Sequence, residues 1–351
     1  MLIFYTALIT TLYLYWIPSV RWQEKKINIY FCSLFFLLTI LGILRFNVGT
    51  DFMRYYRYFI RDDFLAGRFE PGYSFLNLLT QKLWDNPQAI IIVTHLIIMI
   101  LAYKSINKYS INKSLSAFLF VFGFFYFVSL NGIRQYIAVM IILYGHMYLY
   151  KNSKKKFVIS VIIASLFHYS AVITLIMLSI KNFKIKKKHI VTVYSLILVF
   201  NVFSNRIIPL IFDLINDIPF INKYSVYQAF LASDVSSKPY DFIVYSLILA
   251  LSFFVSDKVD FIYKQYNLYK NILLVTVFLK GLALQFHLID RIGIYFSIFI
   301  IFLIPIVFEE LRLKYKKLIK FIMMIMFVLY CWIRIYSGQA GVLNYNFFIY
   351  N

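Results

Sequence analysis

The sequence predicts an all-α, polytopic helical membrane protein of about eleven transmembrane segments, and three observations predict it. Of the 351 residues, 62% are hydrophobic and only 15% charged, where a soluble domain carries about 25% charged residues. So much apolar surface has no aqueous home, and lipid is the solvent that suits it. Apolar runs of close to the ~20 residues that cross a bilayer core recur along the chain. Finally, 21 of the 25 lysines fall in six short clusters between those runs, at 25–26, 104–113, 151–156, 181–188, 258–270 and 314–320. The net charge of +21 is therefore a topology signal. It forms no continuous basic groove, and no nucleic-acid partner is expected.

In chain order the candidate spans are 1–18, 28–45, 88–103, 114–130, 132–150, 157–180, 189–206, 240–256, 271–288, 292–309 and 318–336. The first lacks a basic leader and a small-residue cleavage site, so it reads as a retained helix rather than a removed signal peptide. With the lysine clusters in the cytoplasm, both termini and the two longer polar connections, 46–87 and 207–239, lie outside. No internal repeat or separable soluble segment interrupts the pattern, so residues 1–351 read as one transmembrane domain. Cys32 and Cys331 both lie in apolar segments and suggest neither a disulfide framework nor a metal site.

The run 157–180 carries lysine clusters on both flanks, so its ends belong on the same face. It is too short for two full spans. Two half-helices meeting near Phe167, His168, Tyr169 and Ser170 satisfy the charge rule; one ordinary span that breaks the rule is the alternative. Irregular backbone at membrane depth is tolerated only where protein buries it or it lines a wet cavity.

The arginines follow a different logic. Only Arg21 and Arg312 fall in cytoplasmic loops, while Arg45, Arg54, Arg57, Arg61, Arg68, Arg134, Arg206, Arg291 and Arg334 fall at or near the outer face. Lysine alone satisfies topology, so arginine placed against that rule asks for a chemical reason, and its planar fork suits phosphate.

Four clusters carry that chemistry. In the first outer connection, Asp51, Arg54, Tyr58 and Arg61 share one helical stripe, with Arg57 beside them and Gly49 and Thr50 placed to form the opening turn and cap. A helix N-terminus flanked by arginines suits an anion. An interfacial helix whose arginines meet lipid headgroups is the plainer alternative, but it has no use for Asp51. Glu70, near the end of the same connection, is a second outer carboxylate. In the second cluster, Asn131, Arg134 and Gln135 are spaced to share one helix face almost without a loop. An ionisable residue so close to hydrocarbon marks a functional site, although snorkelling to the interface would also place it there. His168 is the third, at the break of the half-helix pair, where an imidazole serves as a general base or as a phosphate donor. The fourth is Asp290 with Arg291, followed one turn later by Tyr295; a simple pair of Asp290 with Arg291 is the plainer alternative. Lys280, isolated in the preceding span, is expected to face the bundle interior. Tyr55, Tyr58 and Tyr73 suit either core packing or stacking on sugar rings. No metal-ligand spacing, nucleotide loop or nucleophile elbow accompanies them, and no cofactor is expected.

Together, Arg45 to Tyr58 with its Val48-Gly49-Thr50-Asp51 core, Asn131-Gly132-Ile133-Arg134-Gln135, Phe167-His168-Tyr169-Ser170 and Arg291-Ile292-Gly293-Ile294-Tyr295 resemble the EpsG family of bacterial polysaccharide polymerases, relatives of the Wzy repeat-unit polymerases. The resemblance implies a GT-C-like, metal-independent membrane glycosyltransferase in the bacterial cytoplasmic membrane, its site facing the periplasm or cell exterior. It would join oligosaccharide repeat units carried on undecaprenyl pyrophosphate into O-antigen, capsule or exopolysaccharide. A chain-length regulator is a partner by resemblance alone. On this reading Arg54, Arg134 and Arg291 bind diphosphate with Arg45, Arg57 and Gln135 in support. Asp51 or His168 takes the acceptor proton, with Asp51 slightly preferred because the arginines would hold it ionised. A flippase for lipid-linked oligosaccharide would also want arginines, but along both halves of the membrane, and a polysaccharide ligase would need nearly the same site.

Overall fold

A computed structural model describes residues 24–60, 69–151, 153–216, 239–255, 259, 263 and 265–348. The expected span 1–18, Arg61, Arg68 and most of the 207–239 connection lie outside the described residues. From the N-terminal side the elements are α1 (Glu24–Ile43), β1 (Arg45–Phe46), α2 (Phe52–Ile60), α3 (Pro71–Leu83), α4 (Pro87–Tyr109), α5 (Lys113–Phe122) and α6 (Phe125–Ser129). Next come α7 (Ile133–Gly145), α8 (Lys154–Ser165), a 3-10 segment (Tyr169–Leu175), α9 (Ile176–Ile180), α10 (Lys187–Asn216) and α11 (Tyr240–Leu251). The last are α12 (Tyr266–Leu282), α13 (Leu288–Ser297), α14 (Ile300–Glu310), α15 (Lys316–Tyr336) and β2 (Asn346–Phe347).

The all-α expectation holds, apart from the two-residue pairing of β1 with β2. By length and composition α4, α15 and the Lys187–Asp213 stretch of α10 can each cross a membrane, and a fourth span is reached if α13 and α14 together make one. Several of the other expected runs are helical but interrupted. Run 114–130 divides into α5 and α6 at Gly123 and Phe124, where Phe124 adopts a left-handed φ of +71°. Such a conformation is uncommon for a bulky residue, and here the Arg334 guanidinium lies 4.4 Å over the Phe124 ring. Run 157–180 breaks where the charge pattern placed the meeting point: α8 stops at Ser165, and His168 has an extended backbone. The 3-10 segment then packs back against α8.

The chain divides into two units, Met1–Leu178 with Ile298–Asn351, and Ser179–Ser297. In the first unit α4 is the central helix, packed by α1, α2, α3 and α7. Its start is well specified: Pro87 sits in the first turn, and the Asn86 side chain accepts from the Gln88 N–H at 2.8 Å. Phe52, Tyr55 and Phe59, spaced as one face of α2, meet Tyr73 of α3, Ile90 and Ile91 of α4 and Ile133 of α7 in one buried apolar cluster.

The 44–51 segment is fixed from several sides. Arg45 is fully buried, and its guanidinium donates to the Gly42 carbonyl at 2.8 Å and the Leu130 carbonyl at 3.1 Å. Gln88 donates to the Ile43 and Arg45 carbonyls, both at 2.9 Å. The C-terminal segment straps across the same place: β2 pairs antiparallel with β1, and the Gly49 N–H donates to the Gly341 carbonyl at 3.0 Å. Gly49 (φ +104°) and Gly341 (φ +63°) occupy backbone conformations that L side chains rarely adopt.

In the second unit α12 packs against α10, α11 and α13. Lys280, near the end of α12, is 4% exposed and faces inward as expected. Its ammonium donates to Asp241 of α11 at 2.8 Å and to Asp290 of α13, tying three helices together. Asn271 donates to the Ile180 and Phe183 carbonyls at 2.6 and 2.7 Å.

Two predictions follow from these buried charges. Lys280→Met leaves the Asp241 carboxylate without its ammonium partner and should destabilise the protein by about 3–5 kcal/mol. Adding Asp241→Asn and Asp290→Asn should recover most of that loss in thermal unfolding of the detergent-purified protein. Arg45→Met should lower the melting temperature and membrane abundance, at about 1.5–3 kcal/mol per charge-assisted hydrogen bond lost. Thermal unfolding beside a quantitative membrane blot checks this, and a normally stable, normally abundant variant would refute it.

Candidate active site

The first unit gathers three sequence candidates that are far apart in the chain. Pro71 and Gly72 open α3, and the Gly72 N–H donates to the Leu166 carbonyl at 2.8 Å. That carbonyl is one of the orphan acceptors left where α8 ends. A Cβ on Gly72 would lie 2.8 Å from the same oxygen, so glycine is what permits the approach. The contact docks the start of α3 on the break in 157–180 and carries Glu70 to His168.

Glu70 is the N-cap residue of α3, yet its side chain caps nothing. One carboxylate oxygen accepts from Arg134 Nη1 at 2.5 Å and the other meets His168 Nδ1 at 2.9 Å. Glu70 is 5% exposed, while the Arg134 and His168 side chains keep 21% and 27% of their surface. The acid is thus sealed between two partners that ligands can still reach. Arg134, in the first turn of α7, lies 4.7 Å over the Phe69 ring and 5.7 Å over the Tyr73 ring. These aromatic faces hold the guanidinium plane as well as its charge. Among the described residues, its buried Nε has no hydrogen-bond partner.

Burial pushes the Glu70 carboxyl upward, but the hydrogen bond from His168 and the charge of Arg134 outweigh it and hold the group below its ordinary value. A lowered carboxylate contributes stability that is fully present above its unfolded value and is lost as pH falls through its folded one. Glu70 is therefore an anion at neutral pH and can only accept hydrogen bonds. It follows that His168 Nδ1 carries a proton. Burial raises the Tyr55 hydroxyl, with Arg134 opposing and Asp51 adding to the rise. Tyr55 therefore stands within electrostatic reach of both the arginine and Asp51. The Tyr73 hydroxyl is also raised, by burial first.

The remaining candidates are placed as follows. Asp51 is half-buried in the turn before α2. Gly49 forms that turn as expected, but Thr50 does not cap the helix. Its hydroxyl donates to Asn131 Oδ1 at 3.0 Å, and the same oxygen accepts from the Asp51 N–H at 2.8 Å. Asn131 therefore does not share a helix face with Arg134 and Gln135: α7 begins only at Ile133, and Asn131 belongs to the preceding turn. Gln135 is nearly buried. Arg54 and Arg57 are exposed on α2; Arg54 Nε donates to the Tyr58 hydroxyl at 3.0 Å, and Arg57 Nε to the Met53 carbonyl at 3.2 Å. Arg45 is not a supporting diphosphate ligand, because its guanidinium is buried among backbone carbonyls. Tyr55 and Tyr73 have no open face for a sugar, since both are buried in the apolar cluster. Lys280, Asp290, Arg291 and Tyr295 belong to the second unit. There Asp290 pairs with Lys280, and Tyr295 is fully buried. Arg291 is exposed.

Glu70 was the least informative of these residues by sequence, a lone acid in a polar connection. Its centrality depends on contacts 64 and 98 residues away. The local signal was the run Glu70-Pro71-Gly72, an acid at a helix start followed by a glycine that a free-standing helix does not need. Phe69, which faces Arg134, had no distinguishing signal.

A partly exposed cation on an aromatic bed, with a buried anion that orients a partly exposed imidazole, forms an arrangement suited to binding a phosphate and accepting a proton beside it. No curated protein and no solved structure matches the chain. Residues 28–350, however, match the EpsG family throughout, Glu70, Arg134 and His168 included. The chain belongs to the EpsG family, the polysaccharide-polymerase family whose motifs it carries.

Proposed function

We propose that this protein polymerises oligosaccharide repeat units carried on undecaprenyl pyrophosphate, at the outer face of the bacterial cytoplasmic membrane, into a surface polysaccharide. The observation that carries the reading is Arg134, held on Phe69 and Tyr73 with about a fifth of its side chain still exposed, and joined through the buried Glu70 to a partly exposed imidazole. Family membership supplies the reaction class, and the site supplies groups that the reaction needs.

The chemistry runs as an acyl-free glycosyl transfer. A hydroxyl of the acceptor repeat unit attacks the anomeric carbon of the donor glycan. The new carbon–oxygen bond forms as the bond from that carbon to the pyrophosphate oxygen breaks. The electron pair passes to the leaving diphosphate, and the hydroxyl proton passes to a base. A single displacement of this kind inverts the anomeric centre. Negative charge grows on the diphosphate, and guanidiniums already in place stabilise it without help from a metal. Arg134 is the anchor in this scheme, with the exposed Arg54 and Arg57 on α2 able to follow the phosphates and the lipid-side charge. The outward orientation rests on the lysine clusters, and so does the full complement of about eleven spans in a GT-C-like arrangement.

The reading is tested by deleting the gene in its native host and complementing with wild type, Arg134→Ala and Arg134→Lys, with membrane levels equalised. Surface polysaccharide is then resolved on a gel. The deletion should leave a single repeat unit in place of the ladder. Both Arg134 variants should fail to restore it, the lysine one because a point charge does not reproduce the fork. Disappearance of even the single unit from the surface, with lipid-linked units accumulating inside, would identify a flippase. Polymer that is fully made but left on its lipid carrier would identify a ligase.

A further inference from the structure

We infer that His168 is the proton acceptor of the transfer and that Glu70 is the positioning residue that presents it, fixing the ring with Nδ1–H inward and the Nε2 lone pair toward the acceptor hydroxyl. This inference rests on the polymerase reading and assigns the base within it.

An ionised carboxylate has no proton to donate, so its 2.9 Å contact with His168 Nδ1 requires that nitrogen to carry hydrogen. In the neutral form, the one a proton acceptor must have, an imidazole with its N–H on Nδ1 carries its lone pair on Nε2. The ring is fixed about its own axis because Nδ1 is tied to a buried acid, and that acid is tied in turn by Arg134. The backbone adds a third constraint: His168 sits in extended conformation at the helix break, next to the Leu166 carbonyl that receives the Gly72 N–H. Glu70 and His168 are therefore brought together by the same docking contact. About a quarter of the His168 side chain remains open, as a base that must meet a substrate requires.

The proton inventory closes. The acceptor O–H proton moves to Nε2 as the glycosidic bond forms, and the imidazolium that results is stabilised by the Glu70 anion. Undecaprenyl diphosphate departs with the electron pair of the broken bond, beside Arg134. The imidazolium later returns its proton to water. Orientation of an imidazole by a buried carboxylate is a recurring device in acid–base catalysis. Among the described residues no such constraint is seen for Asp51: its backbone N–H is held by Asn131, a contact that fixes the turn and not the carboxylate.

The test uses the full-length protein in membrane vesicles, with lipid-linked repeat unit extracted from the deletion host as both donor and acceptor. Polymer formation gives kcat and KM for wild type, Glu70→Gln, His168→Gln and the double variant. His168→Gln should lower kcat by about 10²–10⁴-fold, the range for loss of a general base. Glu70→Gln should lower kcat by at least about tenfold with KM nearly unchanged, because a glutamine amide can donate to Nδ1 and select the wrong tautomer. The double variant should be no slower than His168→Gln alone, since Glu70 acts only through that ring. A structural role for Glu70 would instead multiply the two losses or raise KM, and would overturn the inference. Near-wild-type kcat in His168→Gln alongside a collapsed kcat in Asp51→Asn would assign the base to Asp51 and leave the polymerase reading standing. Wild-type vesicles that translocate the lipid-linked unit without joining it would remove that reading itself.

Discussion

The site depends on one backbone hydrogen bond, from the Gly72 N–H to the Leu166 carbonyl. Each partner is a loose end. Gly72 lies in the first turn of a helix, where N–H groups have no intrahelical acceptor, and Leu166 lies where α8 gives out and a carbonyl has lost its donor. Either group left alone in an apolar surrounding would cost about 1–3 kcal/mol, so the two satisfy each other. The consequence reaches beyond the pair. With the start of α3 pinned on the break, the Glu70 carboxylate lies between His168 and Arg134. A chain interruption that would otherwise weaken a membrane helix becomes the place where a charged cluster is assembled.

That cluster is not a stability device. Bringing an anion, a guanidinium and an imidazole together in a low-dielectric environment loses hydration that their attraction repays only in good geometry. A well-packed apolar replacement would fold at least as well. Its retention makes sense if the arginine and the imidazole have work to do on something outside the chain. The Lys280 cluster differs in this respect. Its ammonium is sealed between two carboxylates from neighbouring helices, which is an arrangement for fixing helices and leaves little charge to offer a ligand. The same residue classes thus serve two purposes, told apart by whether the cation keeps exposed surface.

How much was legible in the sequence follows from the range of each contact. Apolar runs, lysine clusters and helix-start signals such as Asn86-Pro87 act over one or two turns, and the described helices follow them. The break at His168 was legible because charge on both flanks is a constraint on the whole segment. Asn131 was assigned to the wrong face because the spacing argument assumed a helix through Gly132, whereas the turn ends at Gly132 and Asn131 bonds the segment at Thr50 and Asp51. Arg45 misled for another reason. A guanidinium at the outer end of a span looks the same in sequence whether it meets a phosphate or two backbone carbonyls of its own fold. Glu70 was the hardest, because its partners lie 64 and 98 residues along the chain, and no local rule reports a contact at that distance.

The two arginines make the more general point about reading such sites. Arg45 and Arg134 both stand at helix ends in family-like motifs, and both are largely buried. Arg45 donates to two backbone carbonyls of its own unit and is fully buried, so no ligand can reach its guanidinium, although its Nε is unpartnered among the described residues. Arg134 is held by a carboxylate on one nitrogen and by aromatic faces on its plane. Aromatic faces position a guanidinium without using its N–H groups, and about a fifth of the Arg134 side chain stays open. A planar cation held in place by its neighbours and still partly exposed is preorganised for an incoming diphosphate. It need not reorganise as charge develops on the leaving group, and that is where electrostatic catalysis gains most. Placing the orienting acid between this cation and the imidazole links the two halves of the reaction: the residue that neutralises Arg134 before substrate arrives is the one that aims His168 when it does.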